Sequence, residues 1–357
     1  MKPERIAVLG AGGFLGSHLV PGLLERFDCP IDAIDVDLEK LECTDRRVRR
    51  LVARVEEPSL VEEVTRGSTL VLSLTALCNP ALYSSVPLDV IDASFTHLLP
   101  LVRRCAERRV RLIHFSTAEV YGRRALDNDG APMAEMNEDS SALVLGPIAK
   151  QRWSYACAKQ LLERVIWAHG DLGLPFTIIR PFNTIGSRMD YLPGIDGEGI
   201  PRVLACFMNQ LLRGEPLQLV DGGSQRRAFM AVEDLVEAMC RVVERGAACD
   251  RQIINLGNPR NEVSIAELAE LLAAEFRRAL PSAPAPRFES VPAERFYGPG
   301  YDDSQERVPD IGKARRLLGW APLQSLSDML PAIVQDYVAR YGPRIDAAAA
   351  ARQASVA

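Results

Sequence analysis

The chain has 357 residues, 47% of them hydrophobic and 25% charged, with a formal net charge of −5. That length allows one large domain or two smaller ones around an ample core, and the acidic balance excludes the basic face that nucleic-acid binding needs. No apolar run approaches the ~18–20 residues that span a bilayer, so no membrane segment is expected.

Residues 5–10 read as a buried strand and 14–26 as the helix that follows. Between them, Gly10-Ala11-Gly12-Gly13-Phe14-Leu15-Gly16 spaces Gly10, Gly13 and Gly16 as G-x-x-G-x-x-G. Glycines there permit a tight turn and let the backbone approach a pyrophosphate, whose charge the helix N-terminus meets. Gly10, Gly13, Phe14, Leu15 and Gly16 are therefore predicted cofactor contacts. A second strand, 31–35, ends on Asp35. A carboxylate about 20 residues beyond such a turn accepts hydrogen bonds from ribose hydroxyls and repels a 2′-phosphate, which predicts NAD rather than NADP. Asp37 is an alternative for that role, and Arg46 and Arg54 are the side chains able to tolerate a phosphate.

Further strands are expected at 69–75, 110–116 and 176–180, with helices between them at 96–109 and 153–169. This alternation predicts an α/β fold, a Rossmann-type doubly wound parallel sheet, with residues 1–181 as its NAD-binding domain. From 182 to 342 glycine and proline become frequent, which predicts a smaller mixed substrate-binding region whose strand 253–257 returns to the main sheet. Residues 343–357 read as a flexible, alanine-rich tail expected to fray. Eight cysteines are scattered without Cys-x-x-Cys or a companion histidine cluster. They predict no metal site and a reducing compartment, the cytoplasm.

Tyr155-Ala156-Cys157-Ala158-Lys159 is Y-x-x-x-K, which puts phenol and ammonium on one helix face. The ammonium is expected to lower the phenol pKa from about 10, so that Tyr155 accepts a hydroxyl proton as the hydride leaves. The run ending in Ser116-Thr117 supplies a second hydroxyl, Thr117, for the same substrate oxygen.

These features resemble the short-chain dehydrogenases, in their extended, nucleotide-sugar-modifying branch, over about residues 5–340. Longer strings narrow the likeness: Phe115-Ser116-Thr117-Ala118-Glu119-Val120-Tyr121-Gly122, Lys150 to Lys159, Pro193 to Phe207, Leu219 to Gly223, and Phe296 to Asp303. They resemble UDP-apiose/UDP-xylose synthase and, more distantly, the bacterial UDP-glucuronate decarboxylase of lipid A modification. The resemblance implies a UDP-glucuronate substrate, bound NAD, and a homodimer paired through the helices at 96–109 and 153–169. It also implies oxidation at C4, decarboxylation to UDP-4-keto-pentose, and then reduction to UDP-xylose or ring contraction to UDP-apiose. Escape of NADH would instead release the UDP-4-keto-pentose.

By the same resemblance Thr117, Tyr155 and Lys159 oxidise, and Glu119 assists at C5. Arg152 and Arg307 face the carboxylate or the enolate, and Cys78 is a catalytic thiol. Tyr83, Arg152, Asn183, Arg227, Tyr301 and Arg307 are the implied substrate contacts. Read alone, Cys78 serves equally as a small buried hydrophobe.

Three departures from the relatives stand out. Ala118 replaces a cysteine or serine, and a methyl group neither moves a proton nor donates a hydrogen bond, which puts ring contraction at issue. The Arg54-Val55 loop lacks an aspartate for adenine, and Ser84-Ser85-Val86-Pro87 lacks an arginine. Three other functions compete. Glu119 argues against a nucleotide-sugar 4-epimerase, and Ala118 against a 4,6-dehydratase, which pairs an aspartate with that glutamate. Thr117, Tyr155 and Lys159 argue against a non-catalytic NAD-binding protein.

Overall fold

A computed structural model describes residues 2–123, 125–298 and 301–356. The chain begins β1 (Ile6–Leu9), α1 (Phe14–Arg26), β2 (Ile31–Asp35), β3 (Val48–Val52), α2 (Pro58–Gly67) and β4 (Leu70–Ser73). Two short helices follow, α3 (Pro80–Ser85) and α4 (Pro87–Ser94), then α5 (Leu99–Arg108), β5 (Arg111–Phe115), α6 (Ser154–Asp171) and β6 (Phe176–Pro181). Next come β7 (Thr184–Ile185), α7 (Val203–Arg213), β8 (Leu217–Val220), β9 (Arg226–Ala228), β10 (Met230–Ala231), α8 (Val232–Glu244) and β11 (Gln252–Leu256). The last stretch holds β12 (Glu262–Ser264), α9 (Ile265–Ala279), β13 (Phe288–Val291), α10 (Ala293–Tyr297), β14 (Glu306–Arg307), α11 (Gly312–Leu318) and α12 (Leu326–Val356).

Seven strands form one parallel sheet in the order β11-β6-β5-β4-β1-β2-β3. Central strands such as β1 and β4 are buried throughout because helices cover both of their faces. The strand order reverses between β1 and β4, and a crevice opens at the strand C-termini at such a switch point. A second core lies beyond it, where α7, α9 and α12 pack Leu204, Phe207, Leu272, Leu330 and Tyr337 together. Phe14, the first residue of α1, belongs to that second core, so the glycine turn is braced from both regions.

Small strands complete the site wall. β9 lies between β12 and β14, and the β14–β9 register sets Arg307 beside Arg227. α12 continues through most of the stretch read as a tail, in keeping with the high helix propensity of alanine. Ala357, the end of that stretch, lies outside the described residues, as do Pro299 and Gly300 of the Phe296–Asp303 string. Among the described residues no helix is long and apolar enough to cross a membrane.

β3 was not expected, because Val48-Arg49-Arg50-Leu51-Val52 has neither an apolar run nor clean alternation. An edge strand needs less apolar character, and a buried acid in its neighbour holds it. Asp32 of β2 is 1% exposed. It takes Arg49 of β3 at 2.9 and 3.0 Å and Arg5 at 3.0 Å. Asp32→Ala is expected to cost about 1–2 kcal/mol, the arginines' exposure keeping the figure low. Urea unfolding would show the loss and amide exchange would localise it to β3; unchanged exchange in β3 would refute the clasp.

Candidate active site

A cavity of about 620 Å³ runs along the strand ends from the glycine turn to β9 and β14. Gly10 has φ 89°, and a Cβ there would press on Leu74 at 3.1 Å. At Gly16 a Cβ would meet the Gly10 carbonyl at 2.1 Å, and at Gly12 the Asp37 carbonyl at 1.7 Å. Gly13 differs: its nearest neighbour would be 3.5 Å away, and it lines the cavity. Three of these glycines are therefore required by packing, while Gly13 keeps space open above the first turn of α1. A dinucleotide pyrophosphate fits such a cradle, with backbone N–H groups and the helix N-terminus facing it.

Phe14, Leu15 and Asp35 line the same end. Asp35 Oδ2 accepts from the Gly12 amide at 2.9 Å and Oδ1 from the Val36 amide at 2.7 Å. Burial raises its pKa against these donors. Asp37 instead accepts from the Glu39 amide at 2.8 Å, and Arg54 pairs with Glu56 at 2.5 Å. Of the described residues, the cation that lines this end is Lys40, whose half-burial lowers its pKa, rather than Arg46 or Arg54.

Tyr155 and Lys159 rise from α6 into the middle of the cavity. Lys159 is fully buried and donates to the Phe115 carbonyl at 2.9 Å. Burial pushes the lysine down to about 8, countered by Cys78 and Glu163. Tyr155 departs from the sequence expectation. Burial pushes its phenol well up, and Cys78 and Tyr83 push it further. Helical spacing puts the ammonium on the right face, but desolvation of a phenolate outweighs that attraction. Cys78 Sγ lies 3.3 Å from the Tyr155 hydroxyl, and the Tyr83 ring stacks on the Tyr155 ring at 4.7 Å. Cys78 is exposed to the cavity rather than packed as a core hydrophobe. Thr117 lines the cavity opposite and caps the next turn, its Oγ1 accepting from the Glu119 amide at 3.2 Å.

Beyond the phenol lies a buried charge cluster. Glu119 receives Arg152 at 2.6 and 3.2 Å and Arg307 at 3.3 Å. Asp303 receives Arg307 at 2.6 Å, Arg227 at 2.9 Å and Arg152 at 3.2 Å. Burial raises Glu119, but Arg152 and Arg307 outweigh it and hold the carboxyl below its usual range. Asp303 is likewise held far below, with Arg307 and Arg227 overcoming the cost of burial. Arg152 is 1% exposed and sits 5.1 Å over the Tyr83 ring. Three guanidiniums thus face two carboxylates, and the Nε groups of Arg152 and Arg307 are buried without a partner. The cluster is one positive charge in excess.

A family described as "NAD dependent epimerase/dehydratase family" matches residues 6–257. The chain belongs to it. Gly10 to Gly16 and Asp35 fit the NAD of that family. The UDP-D-apiose/UDP-D-xylose synthase of Oryza sativa subsp. japonica is 44% identical, covering 92% of this chain and 88% of the relative. The UDP-D-apiose/UDP-D-xylose synthase 1 of Arabidopsis thaliana is 43% identical, covering 92% and 90%. The solved PbgP3 protein of Burkholderia pseudomallei is 35% identical, with a TM-score of 0.82, covering 95% of this chain and 98% of that one.

All the predicted site residues line this one cavity, from Gly10 through Cys78, Tyr83 and Thr117 to Asn183, Tyr301 and Arg307. Asn183 turns its amide to the Ala228 carbonyl at 3.3 Å, and Arg227 is held by the Ser304 carbonyl at 2.8 Å and by Asp303. Sequence reasoning missed Asp303 as the anchor of the three arginines, and Asp302, which receives Trp153 Nε1 at 3.2 Å. The available signal was two adjacent acids ahead of Arg307, with Asp303 four residues away.

The two kinds of glycine can be separated experimentally. Gly12→Ala is expected to lower Tm, because overpacking against rigid backbone costs about 1–3 kcal/mol. Gly13→Ala is expected to leave Tm unchanged and to raise the NADH Kd about tenfold or more, through loss of ~1.4 kcal/mol. Fluorescence titration reads the second effect, and equal Kd values would refute the cradle.

Proposed function

We propose that the chain is an NAD-dependent UDP-glucuronate decarboxylase of the UDP-apiose/UDP-xylose synthase type. The observation that carries this reading is the surplus positive charge buried beside Tyr155, where Arg152, Arg307 and Arg227 outnumber Glu119 and Asp303. A uronate carboxylate supplies the missing negative charge, and a fixed guanidinium holds it through paired hydrogen bonds.

Gly10, Gly13, Phe14, Leu15, Gly16 and Asp35 would hold NAD, which would supply the hydride acceptor for C4 and the hydride donor for the later reduction. Tyr155 takes the C4 hydroxyl proton, Thr117 holds the same oxygen, and Lys159 supplies the positive charge that a tyrosinate needs. The product is a β-keto acid. Its C5–carboxylate bond breaks, CO2 leaves, and the electron pair moves into the C4 carbonyl as an enolate. Arg152 and Arg307 oppose that charge. Glu119, held ionised by them, assists at C5, either by handling the C5 proton through water or by destabilising the departing carboxylate. Tyr83 faces the sugar, Asn183 the UDP phosphates, and Tyr301 completes the wall, while Arg227 stays with the charge cluster, held by Asp303. Reduction gives UDP-xylose. Ring contraction to UDP-apiose would rest on Cys78 without a second thiol, since Ala118 lines the cavity beside Glu119. A cytoplasmic homodimer paired through α5 and α6 accords with this reading. Leu161 and Trp167, exposed on α6, would be covered there.

With NAD and UDP-glucuronate the protein is expected to release CO2 and form a UDP-pentose, followed by NMR. No CO2 from any UDP-uronic acid would overturn the reading. Glu119→Gln is expected to slow CO2 release by ~10²-fold or more with NADH affinity unchanged. Ala118→Cys is expected to raise the UDP-apiose fraction of the product, and a constant ratio would remove the missing thiol as the limit.

A further inference from the structure

Residues 190–202 form a loop that the chemistry above does not use. Its two ends meet, because Asp190 Oδ2 accepts from the Arg202 amide at 2.8 Å and from Arg202 Nε at 3.2 Å. Arg202 also donates to the Met189 carbonyl at 2.8 Å, which closes the neck of a compact Ω-type loop. Inside it, the Leu192 amide donates to Asp196 at 2.7 Å and the Gly194 amide to the Gly197 carbonyl at 2.9 Å. The substrate-side region grips the loop from outside. Tyr341 of α12 donates to Asp196 at 2.7 Å, Arg344 to the Ile195 carbonyl at 3.2 Å, and Arg213 of α7 to the Pro193 carbonyl at 3.0 Å.

The nucleotide-binding side holds it differently. Among the described residues, the hydrogen bonds from that side to residues 190–202 come from Asn79, in the segment between β4 and α3. Its Nδ2 donates to the Ile200 carbonyl at 2.9 Å and to the Tyr191 hydroxyl at 3.3 Å. Its Oδ1 accepts from the Ala81 amide at 3.1 Å and so caps α3. Both ends of one amide are used, which fixes its orientation. In the sheet β1 lies between β4 and β2, so the glycine turn lies between Asn79 on one flank and Lys40 on the other. The loop reaches both flanks: burial lowers the Lys40 pKa, and the charges of Asp190 and Asp196 oppose that shift. Between them Arg202 sits 5.7 Å over the ring of Phe14, the first residue of α1. Asp190, Tyr191, Pro201 and Arg202 line the same cavity as Gly10 and Gly13. A dinucleotide lying on the glycine turn therefore passes beneath the loop.

We propose that Asn79 is a positioning residue that clasps the 190–202 loop over the dinucleotide and so keeps the reduced form bound until the sugar ketone is reduced. This rests on the oxidation, decarboxylation and reduction proposed above. Conversion of a UDP-uronic acid to a UDP-pentose and CO2 is redox-neutral overall, because the hydride removed at C4 comes back to C4. Each escape of NADH before that return breaks the balance: one NAD is consumed, and one NADH and one UDP-4-keto-pentose are released. The product is thus decided by the rate of NADH dissociation against the rate of reduction, and a clasp on the exit path acts on the first of these. Three side chains hold the loop to the substrate-side region and one holds it across the cleft, so it opens at Asn79.

The test uses the full-length protein loaded with NADH, whose release is followed by stopped-flow fluorescence on mixing with excess NAD. Asn79→Asp keeps an oxygen for the α3 cap and removes the donor, and Asn79→Ser does the same without adding a charge. Both are expected to release NADH about tenfold faster or more, with Tm unchanged. Entry uses the same path, so NADH association should quicken too, and Kd should rise less than the dissociation rate. A lost contact without a gate would raise Kd in full proportion with association unchanged, and that result would overturn the proposal. So would unchanged NADH dissociation in whichever variant folds. With UDP-glucuronate, the variants should release more free NADH and UDP-4-keto-pentose per CO2 than the wild type, and an unchanged ratio despite faster dissociation would also overturn it. Failure of the wild type to turn over UDP-uronic acids would sink the functional reading instead, and the NADH kinetics would still report on the clasp.

Discussion

The arrangement of the site depends on burying five ionised groups in one place. A buried charge costs several kcal/mol unless an opposite charge meets it at close range. Glu119, Arg152, Asp303, Arg227 and Arg307 meet that condition only as a set, since each carboxylate contacts at least two arginines. The set draws on four parts of the chain: the turn after β5, the short turn just before α6, β9, and the segment running into β14. The three arginines and Glu119 lie on local structure, but Asp303 holds the segments together. Any one of these residues placed alone would be an uncompensated ion. The register of β14 on β9 and the 118–121 turn are therefore electrostatic requirements as much as packing outcomes.

Next to this cluster stands a region of opposite character. Tyr155 and Lys159 are buried among Tyr83, Cys78 and the Phe115 carbonyl, with few formal charges. Low polarity makes an ammonium lose its proton easily and a phenol keep it. Tyr83 forms the border, stacked on Tyr155 at 4.7 Å and lying 5.1 Å beneath the Arg152 guanidinium. Proton and hydride transfer need the dry side, and departure of a carboxylate needs the charged side. The sugar ring bridges the two in the proposed chemistry, so its orientation decides which carbon meets which half.

Local patterns in the sequence made much of this legible. The glycine turn, the strand after it and the i,i+4 spacing of Tyr155 and Lys159 are fixed by a few neighbouring residues, and the structure places them accordingly. Effects that depend on distant partners were not legible. Asp303 has its role through Arg152, 151 residues earlier. The phenol of Tyr155 is raised by burial and by Cys78, which no spacing rule reports. β3 is an arginine-bearing edge strand recognisable only once buried Asp32 is seen beside it. Gly12 lay outside the G-x-x-G-x-x-G triplet, yet it is the glycine most crowded by backbone.

The position of Cys78 bears on the fate of the pentose. Its sulfur is 3.3 Å from the Tyr155 hydroxyl, so the thiol can share a proton with the phenol that serves C4. Ala118 is 5% exposed and lines the cavity between Thr117 and Glu119, where its methyl group can share none. Opening and reclosing the sugar ring requires protons to move at C2 and C3 as well as at C4. In the proposed chemistry, one thiol tied to the phenol that would serve C4, with Ala118 in place of a second, would suit return of the hydride to the ketone better than ring contraction. Under that chemistry the same architecture would favour UDP-xylose through what Ala118 lacks, with Tyr155 and Lys159, Glu119 and the three arginines serving the steps before it.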